Sequence, residues 1–62
     1  MLDIKHMRKA AGLAQKQLAD MVYIDKTTLC KYEKGERGIP VSVAKRLGKA
    51  LNFDWWKLYE ED

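Results

Sequence analysis

The stretch QKQLADMVYIDKTTLCKYEK, residues 15–34, decides the fold. Apolar residues recur in it at helical spacing as far as Val22, stop for about three residues, and resume beyond Lys26. Leu18, Met21 and Val22 mark one short helix, and Leu29 and Tyr32 mark the next. Asp25 suits the N-cap of the second of these and Gly35 its end. Ala19 is small enough to let the pair approach closely. The chain therefore holds two short helices at a fixed angle, the second presenting Lys and Thr on the side away from its apolar residues.

The same period runs outward from this pair. Ile4, Met7 and Ala11 share the face of a first helix that stops at Gly12, a residue suited to a left-handed terminus. After the loop GERGIP, residues 35–40, Pro40 suits a first-turn position, and Val43, Ala44, Leu47, Ala50 and Leu51 mark a fourth helix. Gly48 inside that helix predicts close packing, since it otherwise costs about 1 kcal/mol relative to Ala. Asp54 is expected to cap a short fifth helix through WWKLYEE, residues 55–61. With no alternation of period two and no internal repeat, the expected fold is all-α, a compact five-helix domain spanning 1–62 as a single unit.

Two charges break the apolar pattern. At about 100° per residue, Arg8 falls on the Ile4 face and Glu33 on the face of Leu29 and Tyr32. An unpaired buried charge costs several kcal/mol, so the two are expected to form a salt bridge tying the first helix to the end of the third. The alternative has both snorkel to water at the edge of the core.

Composition excludes several classes of function. A chain of 62 residues buries only about 60% of its unfolded surface, which leaves no room for a separate catalytic domain. Cys30 is the single cysteine, so no internal disulfide forms and a reducing, cytoplasmic setting is expected. No apolar run approaches the roughly 20 residues needed to span a bilayer, and no membrane role is expected. His6 and Cys30 are too far apart in sequence to suggest a metal site or a nucleophile and its base. Catalytic residues, metal, cofactor and small-molecule ligand are all expected to be absent. The net charge of +3 is uneven: residues 1–53 hold eleven Lys or Arg against five acids, and residues 54–62 hold one Lys against four. A basic body with an acidic end suggests a polyanionic partner.

Here the chain resembles a known family, the phage repressor and Cro class of helix-turn-helix DNA-binding proteins, also called XRE, whose members are lambda-repressor-like in fold. The resemblance rests on Arg8, LAQKQLADMV (13–22), the turn YID (23–25), KTTLCKYEKGER (26–37) and VAKRLGKALNFDWWKL (43–58). Three positions depart from the family's habit. Ala14 stands where Ser or Thr usually caps the second helix, Tyr23 where Gly usually makes the turn, and Asp25 where Ser or Thr is frequent.

The resemblance implies that the third helix, residues 26–34, enters the major groove, and the period shows which side chains reach out. Lys26, Thr27 and Lys31 are expected at base edges, Lys as a donor to guanine and Thr through its methyl or hydroxyl. Gln15, Lys16, Thr28, Lys34 and Arg37 are the expected phosphate contacts, Gln15 at the N-terminus of the second helix. Taken singly, each Lys is an ordinary solvated residue; Lys45, Arg46 and Lys49 on the fourth helix read that way. Phe53, Trp55 and Leu58 are spaced to dock the last segment, leaving Trp56 and Tyr59 outward as candidates for a homodimer interface or as cover for the edge of a small core. The expected function is a sequence-specific reader of double-stranded DNA, a transcriptional regulator and most simply a repressor of prophage or mobile-element type. A helix-turn-helix module that binds protein rather than DNA is the alternative.

Overall fold

Each α-helix among the described residues stops at the same device, a left-handed residue followed by a backbone bond reaching five residues back. The computed structural model describes residues 3–60. In it α1 (Ile4–Ala10), α2 (Gln15–Met21), α3 (Lys26–Lys34) and α4 (Val41–Leu51) are followed by one 3₁₀ turn, Trp55–Tyr59. No strand occurs among the described residues. Leu13 N–H returns to Arg8 O, Ile24 to Ala19 O, Glu36 to Lys31 O and Phe53 to Gly48 O, at 2.9–3.1 Å. The left-handed residues are Gly12, Tyr23, Gly35 and Asn52, with φ from 58° to 75°. Gly and Asn adopt this conformation readily, whereas a bulky side chain is strained in it. Tyr23, at φ 60°, is thus the expensive member of the four.

Helix starts are less uniform. Asp3 caps α1 by accepting from His6 N–H at 3.2 Å. Ala14 has no side chain with which to cap α2, but Gln17 Oε1 accepts from Ala14 N–H at 2.8 Å, so half of a capping box is retained. Asp25 does occupy the N-cap of α3, without a side-chain cap bond. Pro40 is the N-cap of α4, one residue before the first-turn position read from the sequence.

The core draws on all four helices: Ile4 from α1, Leu18 and Ala19 from α2 with Val22 just beyond it, Leu29 and Tyr32 from α3, and Val43, Ala44 and Leu47 from α4. Leu18, Val22, Leu29 and Leu47 are fully buried, each contributing about 1.5–3 kcal/mol of transfer free energy. Two residues assigned to apolar faces lie outside it. Met21 is 48% exposed, because α2 ends there and the turn carries the chain away from the core. Ala11 is exposed as the C-cap of α1.

The fifth α-helix is not formed. Asp54 makes no side-chain cap bond and its carboxylate lies 3.7 Å from Lys57 Nζ instead. The segment is five residues long, one isolated helical turn of that length does not repay α nucleation, and the bonds run three residues back, Lys57 N–H to Asp54 O and Glu60 N–H to Lys57 O. Glu60 is extended, and Glu61, with the rest of the acidic end, lies outside the described residues. Three residues per turn put Trp55 and Leu58 inward together and leave Trp56 and Tyr59 outward together, 51% and 47% exposed. Gly48 makes the docking possible: a Cβ there would meet Phe53 O at 2.7 Å and Trp55 Cβ at 3.0 Å.

Candidate nucleic-acid interface

The candidate interface centres on α3, which buries one side and leaves the other open. Leu29 and Tyr32 face the core, so Thr27, Lys31 and Lys34, at spacings of four and three, share the opposite, exposed side. Lys26 projects from the first position of the helix. Together with Gln15, Cys30 and Glu36, these four line a groove of about 340 Å³. The structure therefore gathers all three residues expected at base edges with two of the expected phosphate contacts, Gln15 and Lys34. Lys16 and Arg37 are exposed outside this lining, and Thr28 is half-buried.

Gln15 is held from behind. Arg8 and Glu33 are both withdrawn from water, with side chains 8% and 2% exposed, and Arg8 Nε donates to Glu33 Oε2 at 2.7 Å. Arg8 Nη1 donates to Leu13 O at 2.7 Å and Nη2 to Glu33 Oε1 at 3.4 Å. The same Oε1 accepts from Gln15 Nε2 at 3.0 Å. One carboxylate thus joins α1, the N-terminus of α2 and the C-terminal turn of α3.

One groove residue escaped the sequence reading. Glu36 brings a negative charge among three lysines. Its loop position carries no period to betray its direction. Cys30 is half-buried and also lines the groove. On α4, two of the three cations read as a solvated face are engaged: Lys45 Nζ lies 5.4 Å from the Trp55 ring centroid and the Arg46 guanidinium 5.7 Å from that of Tyr23. Tyr59, although half open, donates its hydroxyl to Ile39 O at 2.7 Å. Partial desolvation, and secondarily Tyr32, push its phenol above the ordinary value of 10.0.

Among the described residues no His, Cys, Asp and Glu side chains cluster in threes to hold a metal, and no helix is long and apolar enough to cross a membrane.

A helix pair joined by a left-handed turn, with a basic outer face and a buried Arg–Glu tie, defines a class, and comparison agrees: residues 4–56 match the helix-turn-helix family. The chain belongs to that family, in the XRE type its own residues resemble. It is 31% identical over 58 residues to a Bacillus subtilis (strain 168) protein described as an uncharacterized HTH-type transcriptional regulator, YqaF. The alignment spans 94% of this chain and 76% of that protein.

Proposed function

We propose that this protein is a sequence-specific transcriptional regulator that inserts α3 into the major groove of double-stranded DNA, and that it acts as a repressor of prophage or mobile-element type. The observation that carries the reading is the groove itself, in which Gln15, Lys26, Thr27, Lys31 and Lys34 converge from two helices. Lys26, Thr27 and Lys31 read base edges; Gln15, Lys16, Thr28, Lys34 and Arg37 meet phosphates on either side. Family membership and similarity to a transcriptional regulator favour DNA binding over catalysis and a cytoplasmic place of work. Regulation by blocking a promoter needs only tight placement on DNA, which fits a domain of this size. Two copies meeting through Trp56 and Tyr59 would set two α3 helices about one helical turn, or 34 Å, apart.

Selection of bound duplexes from a random pool tests the reading, with Lys31→Ala run alongside. The expected result is a two-fold-related motif with centres about one helical turn apart, altered at defined positions by Lys31→Ala. Weak binding without sequence preference would overturn specific readout, and the search would turn to a protein partner.

A further inference from the structure

The Glu33 carboxylate has an acceptor to spare once Arg8 is bound, and it spends it on a groove residue. We infer that Glu33 is a positioning residue for DNA binding: it fixes the orientation of the Gln15 side-chain amide and so decides what Gln15 offers to a phosphate. The inference rests on the proposed reading of Gln15 as a phosphate contact. An ionised carboxylate only accepts, so the amide must turn its nitrogen to Glu33 Oε1, where the two stand 3.0 Å apart. The flipped amide would set two acceptor oxygens against each other. Of the two amide hydrogens, one is thereby committed inward, and the second, on the same nitrogen, is left for the groove that Gln15 lines with Lys26, Lys31 and Lys34. A phosphate likewise only accepts, so this second N–H is the group of the Gln15 amide able to bind it; the carbonyl oxygen is not.

The tie also removes freedom that DNA binding would otherwise have to remove. A free Gln on a surface samples many rotamers and both amide orientations, and ordering such a side chain on association costs about three- to tenfold in affinity. Here the anchor is a carboxylate only 2% exposed and held by Arg8 Nε at 2.7 Å, so the ordering is done in the fold. The buried ion pair thus does two jobs: it joins α1 to α3, and it aims a side chain of α2.

A double-mutant cycle on DNA affinity separates these jobs. Gln15→Ala, Glu33→Gln and the double variant are compared with the parent protein on a random-sequence 20-base-pair duplex at low salt, since phosphates are common to all sequences. All four proteins are tested at one temperature, chosen so that the urea curve of each shows it folded. Glu33→Gln is expected to weaken binding about three- to tenfold in the parent and to have almost no further effect in Gln15→Ala. Equal losses in both backgrounds would make Glu33 merely structural and overturn the inference while leaving the DNA reading intact. No binding by the parent protein would overturn the reading, and the inference with it. If Glu33→Gln does not fold, the parent's Gln15 side-chain amide decides by NMR. One of its two protons should be shifted downfield and slowed in exchange, whereas a pair at the ordinary positions of a solvated Gln amide, both exchanging fast, would overturn the inference.

Discussion

Gly48 and Phe53 touch through their backbones: Phe53 N–H donates to Gly48 O at 2.9 Å, and Phe53 O stands 2.7 Å from where a Cβ on Gly48 would be. No side chain can yield to make room there, because the obstacle is the carbonyl that leads into the 3₁₀ turn. Gly48→Ala gains about 1 kcal/mol of helix propensity but must push the turn outward, an overpacking cost of about 1–3 kcal/mol. The expected balance is a loss of up to about 2 kcal/mol, with Trp55 and Lys45 displaced together. Urea unfolding followed by tryptophan fluorescence measures it; an alanine variant more stable than the parent would show the turn to be free to move.

The Arg8–Glu33 pair makes a sharper prediction. Arg8→Met leaves the Glu33 carboxylate buried with Gln15 as its remaining side-chain partner, and also strips Leu13 O of its donor. Breaking one half of a buried pair costs about 3–5 kcal/mol, comparable with the whole stability of a domain this small. Arg8→Met is therefore expected to be largely unfolded at 25 °C, and Glu33→Leu added to it is expected to restore folding close to the parent's. Circular dichroism of the single and double variants decides the matter. A well-folded Arg8→Met would mean that water reaches the carboxylate after all.

These two sites also show what a sequence can tell. Arg8 and Glu33 were legible because a charge on an apolar helix face is an energetic problem with few solutions, and the period places it within one turn. Gly48 was legible because Gly inside a helix needs a reason. Gln15's inward bond was not, since nothing in a helix N-terminus says which end of an amide a distant residue will hold. The fifth helix was overread for a related reason: WWKLY has residues that suit either helix, and the tighter 3₁₀ form goes with the shortness of the segment, five residues. Glu36 lies after the left-handed Gly35, where helical period stops carrying information.

Tyr23 tests strain separately from burial. It is 80% exposed, so ordinary surface substitution there should cost little, yet its φ of 60° is held by the α2 terminus and covered by Arg46. Tyr23→Val places a β-branched residue in the left-handed region and is expected to lose about 1–2 kcal/mol. Tyr23→Gly removes the strain but gives up the cation–π contact and gains freedom in the unfolded chain, so it is expected to fall between no change and a gain of about 1 kcal/mol. The order Gly above Tyr above Val in thermal midpoint is the result to look for. Val equal to Tyr would mean that the turn opens to a negative φ at no cost.

Glu36 offers a test of which surface faces DNA that does not depend on losing a contact. It shares its groove with Lys26, Lys31 and Lys34, so a phosphate drawn in by the lysines meets a carboxylate on the way. At low salt the repulsion reaches about 10 Å or more and fades as ionic strength rises. Glu36→Gln is therefore expected to tighten binding by about two- to fivefold at 50 mM salt, with the gain shrinking toward 300 mM and the preferred sequence unchanged. Lys34→Gln, by contrast, should weaken binding to all sequences and reduce the slope of log affinity against log salt by about one. The substitution at 36 lies after α3 ends, and removing a negative charge near a helix C-terminus favours the fold if anything, so a change in affinity is not a change in folding. Fluorescence anisotropy across a salt series reads both variants; if Glu36→Gln binds like the parent at every salt, this groove does not face the phosphates and α3 must approach DNA from another side.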